Sequence, residues 1–136
     1  MKESRRAVDN GRRPDATVTY VTLSARSSQM FVLRSLVVAV ALEADFDLDT
    51  VDDLRLAVDE MCALLLARSG PGDLLHCQFE TAPDSISVLA TVRTDSARPV
   101  DTATFGWQMV SLLSDRADTW ATPGELHIRI RRAKPR

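Results

Sequence analysis

Asp53-Leu54-Arg55-Leu56-Ala57-Val58-Asp59-Glu60-Met61-Cys62 lies at the centre of the segment whose reading decides the fold. Around it Val51, Leu54, Val58, Met61, Cys62 and Leu65 recur at the spacing of a helix with one buried face. Asp49 or Thr50 is expected to cap its start, with acidic residues complementing the first turn. Gly70-Pro71-Gly72 ends it. Asp53, Ala57, Glu60 and Leu64 fall at helical spacing on a second face, apart from the apolar stripe. A carboxylate on such a face serves as a general base where it meets a ligand. On a solvated flank it is an ordinary acid.

Working outward, Val18-Thr19-Tyr20-Val21-Thr22-Leu23 is rich in β-branched residues and reads as a strand. Ser24, Ser27 or Ser28 can cap the helix that follows, which carries Leu33, Leu36, Val37 and Val40 on one face as far as about Ala44. An acidic connection, Asp45 to Asp49, joins the two helices. Beyond the glycines, Leu75, Cys77 and Phe79 alternate with His76, Gln78 and Glu80, and Ile86, Val88, Ala90 and Val92 alternate with Ser87, Leu89, Thr91 and Arg93. Pro83-Asp84 supplies the turn between those strands. Residues 95–103 read as a loop and Thr104 to Ser114 as a third helix. Two closing strands flank Pro123-Gly124, and in the last Leu126, Ile128 and Ile130 alternate with His127, Arg129 and Arg131. The order β-α-α-β-β-α-β-β predicts an α+β two-layer sandwich, a mixed and mainly antiparallel sheet with helices on one face.

The chain has 136 residues, 45% of them hydrophobic and 26% charged, which suits one globular domain over residues 16–133. Residues 1–15, with Gly11 and Pro14 among charged side chains, read as a flexible tail, and 134–136 as a basic end. No apolar run reaches the length of a membrane span, and no apolar stretch follows the N-terminal arginines as a secretory signal requires, so a cytoplasmic protein with no membrane partner is expected. Cys62 and Cys77 form neither a disulfide framework nor a metal motif, and no metal is expected. As neighbours on a strand His76 and Cys77 point to opposite faces, and both cysteines read as buried small hydrophobes. A net charge of −2 argues against direct nucleic-acid binding, although the last residues are rich in arginine. Alternating arginines on a strand, with no aromatic residues among them, line a solvated face rather than a base-stacking platform.

The Asp53–Cys62 segment resembles the conserved helix of the GHKL (Bergerat-fold) ATPases. More closely, it is similar to the RsbW-type anti-sigma factors, particularly actinobacterial members of the UsfX kind. The element order matches that fold, and the resemblance spans residues 17–133. It implies a histidine-kinase-like ATPase fold, a cytoplasmic homodimer, Mg-ATP as cofactor, and two partners, a sigma factor and an anti-anti-sigma factor. Glu60 stands where the family places its catalytic or water-orienting carboxylate. The Asn that helps to hold Mg²⁺ four residues later is replaced by Leu64, which has no oxygen to offer a hard cation.

The family's glycine boxes, which let backbone approach the nucleotide, are also depleted. Of five glycines none belongs to an Asp-x-Gly-x-Gly box. Where that box is expected stands Arg93-Thr94-Asp95-Ser96-Ala97-Arg98, so Asp95 is the residue left to meet an adenine amino group. In Phe105-Gly106-Trp107-Gln108-Met109-Val110 only Gly106 survives from the phosphate-covering lid, and Trp107 brings bulk to the place implied for the phosphates. These departures predict a degenerate nucleotide site. The alternative is an ATP-dependent serine kinase acting on the anti-anti-sigma factor with Glu60 as base.

Phe31-Val32-Leu33-Arg34-Ser35-Leu36-Val37-Val38 resembles the family segment whose arginine contacts the sigma factor. Arg34 lies off the apolar stripe and reaches solvent, and Phe31 and Val38 flank it as partner-binding residues. The acidic residues of 43–53 are expected to face basic sigma surface. A strand such as 17–23 is a candidate for pairing across a two-fold axis.

Overall fold

The computed structural model describes residues 15–95 and 98–135; the tail expected over 1–15 lies outside them apart from Asp15, as do Ser96, Ala97 and Arg136. The elements follow the expected order: β1 (Thr17–Ser24), a 3-10 turn (Ser27–Gln29), α1 (Met30–Glu43), α2 (Leu48–Leu66), β2 (Leu74–Ala82), β3 (Ser85–Arg93), α3 (Phe105–Leu112), β4 (Arg116–Thr122) and β5 (Glu125–Ala133). The strands form one sheet in the order β1-β2-β3-β5-β4. Every pairing in it is antiparallel, so the sheet foreseen as mixed contains no parallel pair among the described residues.

Alternation along the strands gives the sheet its two faces. Leu75, Cys77 and Phe79 of β2, Val88 and Ala90 of β3, and Leu126, Ile128 and Ile130 of β5 are all buried against the helix layer. Their odd-numbered neighbours on β3 and β5 face the other way. α2 is the central helix, packed on β3 and β5, with α1 beside it over β2 and α3 on its other side over β4. Leu54, Val58, Met61, Cys62 and Leu65 form its buried stripe, as the spacing predicts. Ala57 departs from expectation. It is fully buried and belongs to the core, because a helix between two others and a sheet buries more than one narrow stripe. In α1 the buried positions are Leu33, Val37 and Ala41, while Leu36 and Val40 are only half-buried at the flanks.

The turn between α1 and α2 explains why α2 starts earlier than Asp49. Asp45 takes the left-handed conformation, φ 62°, and its N–H bonds to Leu42 O while the Phe46 N–H bonds to Ala41 O. These are the two hydrogen bonds of a Schellman helix end, which aspartate tolerates better than most residues. Phe46 is thereby driven into the core. Asp47, next in line, caps α2 by accepting from Thr50 N at 2.8 Å. Hydrogen bonds from the Thr50 side chain and backbone hold the Asp47 carboxyl below the usual aspartate range. No described helix is long and apolar enough to cross a membrane.

Candidate functional site

The family-implied site lies along the exposed shoulder of α2, where this helix meets α3. Glu60 is half-buried there and has no hydrogen-bond or ion-pair partner among the described residues. Leu64, one turn on, points at α3. A Cβ built on Gly106 would stand 3.1 Å from Leu64 Cδ2 and 3.5 Å from Leu64 Cγ. The leucine therefore rests against bare helix backbone, and the glycine serves close approach rather than an unusual φ. Thr104 Oγ1 caps α3 by accepting from Trp107 N at 3.3 Å, which sets the helix in that position. Trp107 is buried in the core.

Two further ties close this flank. Arg68, at the end of α2, donates to Arg98 O at 2.9 Å and to Pro99 O at 3.2 Å, strapping the loop before α3 to the helix. Val100 follows as a buried anchor whose N–H reaches Thr119 Oγ1 at 3.3 Å. Asp53, which shares the face of Glu60 by spacing, is committed elsewhere. It pairs with Arg132 Nη2 at 3.0 Å, while Arg132 Nη1 donates to Leu113 O at 2.8 Å. Asp95 lies just past the end of β3, exposed and without a polar partner among the described residues. Leu64 and Gly106 are thus brought together, and Glu60 adjoins them on the helix. Among the described residues no hydrogen bond or ion pair ties Asp95 to that group.

The packing of Leu64 on Gly106 makes a stability prediction. Gly106→Val places branched bulk where Leu64 already sits and is expected to cost about 1–3 kcal/mol, the usual penalty of overpacking. The double variant Gly106→Val with Leu64→Ala should recover most of it. Urea unfolding of the three variants reads the effect, and an unaltered midpoint for Gly106→Val would mean that the helices do not meet here.

Position 64 provides no oxygen, and among the described residues no group of three or more His, Cys, Asp or Glu side chains is placed to hold a metal. One concavity of the structure lies away from this shoulder. A groove of about 600 Å³ opens between the α2–β2 loop and the β4–β5 hairpin, lined in part by Gly72, His76, Arg93 and Gly124 and by none of Glu60, Leu64 or Gly106.

Cys62 and Cys77 are both buried, and the Cys62 thiol is pushed well above its ordinary value by its hydrogen bond with Cys77 and by burial. A thiol so placed is a packing group. On the uncovered sheet face His127 accepts or donates to Thr91 Oγ1 at 2.8 Å and Thr122 Oγ1 at 2.7 Å, and burial lowers its pKa. Trp120 stacks on His127 at 5.1 Å and lies under Arg129 at 5.3 Å. The aromatic neighbour of the arginine strand comes from β4, a pairing that the last strand read by itself does not reveal.

The second candidate surface is the outer side of α1. Phe31 is 61% and Leu42 45% exposed, Ala39 is exposed and Val38 half-buried, so an apolar stripe runs along the helix face turned from the core. Arg34 borders it, but does not stand alone in solvent. Its Nε donates to Asp59 Oδ1 at 3.1 Å and Oδ2 at 3.2 Å across the α1–α2 seam. Arg55, one turn before Asp59, lies at 4.0 Å from the same carboxylate. Asp59 was not singled out by sequence; its spacing from Arg55 is the one local signal that marks it.

No family model matches the chain. Two curated proteins named anti-sigma-F factor RsbW, from the Mycobacterium tuberculosis strains CDC 1551 / Oshkosh and ATCC 25618 / H37Rv, are each 32% identical over 110 residues. The match takes in 81% of this chain and 66% of each relative, so the chain spans just under two thirds of their length. The crystal structure of the RsbU and RsbW domains of Rv1364c from Mycobacterium tuberculosis superposes with a TM-score of 0.65 at 13% identity, over 88% of this chain and 33% of that one. That likeness speaks for the fold. Relatives at this identity across most of the chain, together with a shared fold, place the chain in the family of RsbW-type anti-sigma factors.

Proposed function

We propose that this chain sequesters an alternative sigma factor of the stress or sporulation group, working in the cytoplasm, and that an anti-anti-sigma factor releases it. The observation that carries this reading is the outer face of α1, where Phe31, Val38, Ala39 and Leu42 leave an apolar stripe uncovered beside Arg34. Patches of this kind, rimmed by polar residues, mark protein interaction sites. Glu43, Asp45, Asp47, Asp49 and Asp52 are all exposed at the adjoining turn and give it an acidic rim suited to a basic partner surface. β1 is an edge strand without a single charged residue, and pairing across a two-fold axis would cover it in a homodimer.

In this reading nucleotide does not gate the switch. Leu64 occupies the position of the implied Mg²⁺ ligand and packs against Gly106, and the loop before α3 is strapped down by Arg68. Mg-ATP does not fit the residues present in the way that the family holds it. The kinase reading draws on Glu60, whose carboxylate has no protein partner among the described residues and is therefore free to act as a base.

One experiment separates the two. The purified chain is offered a panel of stress-type sigma factors, with and without Mg-ATP, and then a cognate anti-anti-sigma factor with labelled ATP. Capture that ignores nucleotide, with no label transferred, is the expected result. Capture that strengthens with Mg-ATP, or transfer that disappears in Glu60→Ala, would replace it with the kinase reading. Capture of no member would leave the family's fold without its function in this chain.

A further inference from the structure

Arg34 is gripped from its side rather than from its end. A guanidinium carries five N–H donors in a rigid plane, one on Nε and four on the two terminal nitrogens. Here the Nε–H alone serves the protein, shared between the two oxygens of Asp59 at 3.1 and 3.2 Å. The four terminal N–H groups have no acceptor among the described residues. With Nε directed at Asp59, the trigonal plane turns the Nη1–Nη2 edge away from the α1–α2 seam. The Arg34 side chain is 43% exposed against 28% for Asp59. It emerges one turn from Phe31 and one turn from Val38, at the border of the apolar stripe.

An ion pair as exposed as this adds little to folding stability, so its consequence is geometric. A free arginine would lose much of its rotamer freedom on docking, and one already fixed loses less. Arg55 Nη1, one turn back on α2, lies 4.0 Å from Oδ2 of the same carboxylate and adds a second positive charge beside it. We propose that Asp59 is a positioning residue: it fixes Arg34 so that the Nη1–Nη2 edge presents two parallel donors to a pair of oxygens on the docked protein, a carboxylate or two backbone carbonyls. Asp59 itself does not touch that protein. The inference rests on the reading of the α1 face as the docking surface.

Two measurements test it. The first needs no partner. The Arg34 Nε–H resonance in ¹⁵N NMR is expected to be protected from solvent exchange in the unmutated chain and to exchange about tenfold faster in Asp59→Asn, as a lost charge-assisted bond requires. Equal exchange in both would overturn the proposal. The second uses the sigma factor retained by the capture panel. Asp59→Asn is expected to weaken it by about tenfold while the thermal midpoint hardly moves, and in an Arg34→Ala background the same substitution should do nothing further. An unchanged affinity, or an equal loss in both backgrounds, would overturn the positioning role while leaving the docking surface intact. If the unmutated chain retains no sigma factor, the docking reading fails and takes the inference with it.

Discussion

Arg34→Glu is expected to reduce sigma-factor affinity by at least about 100-fold, roughly the 2–3 kcal/mol lost when an interface anchor arginine is removed. Three effects act together. The outward pair of donors disappears, the charge facing the partner reverses, and the new carboxylate stands opposite Asp59, which now has only Arg55 to balance it. Arg34→Ala removes the donors without the repulsion and should therefore lose less. Raised salt should narrow the gap between the two variants, since screening acts on the reversed charge. Titration calorimetry on variants shown to be folded by circular dichroism would decide the matter. An affinity for Arg34→Glu within threefold of the unmutated chain would remove Arg34 from the interface.

Phe79→Ala is expected to destabilise the fold by about 3–5 kcal/mol, the range for emptying a buried phenylalanine site. Phe79 is fully buried on β2, an interior strand flanked by β1 at Thr19 and by β3 at Val88, and faces the helix layer. The cavity would open between two layers whose backbones are held by the sheet ladder and by helix packing, so collapse around it is limited. Against a total stability of about 5–15 kcal/mol for a domain of this kind, such a loss leaves a detectable unfolded fraction. Tyr20→Ala, on the exposed side of the edge strand, should change stability far less. Urea unfolding reads both, and a loss below about 1 kcal/mol at Phe79 would mean that the inner face of β2 is not part of a close-packed core.

Strand and helix identity were legible because each element carries its own period. Leu126-His127-Ile128-Arg129-Ile130 can alternate only on a two-faced strand, and Val51 to Leu65 can gather only on a helix. Boundaries were less legible. The start of α2 at Leu48, capped by Asp47, depends on a Schellman turn that puts Asp45 at positive φ and sinks Phe46 into the core, and no single residue in the turn announces it. Ala57 was misplaced for a related reason, since periodicity shows the deepest stripe of a helix and not how many neighbours it will have.

The sequence by itself determined the order of elements, the α+β sandwich, the buried cysteines, and the chemical facts that position 64 has no oxygen and that the Asp-x-Gly-x-Gly box is missing. These are local, written in residue type and in spacings of a few positions. Only the tertiary structure decided that Leu64 rests on Gly106, that Arg68 straps the loop before α3, and that Arg34 is held through its Nε by Asp59. Each of those contacts joins residues 25 or more positions apart, as the Arg34–Asp59 separation of 25 illustrates. The pairing of distant residues is fixed by how the layers pack, and a pattern that repeats every two or four residues carries no record of it.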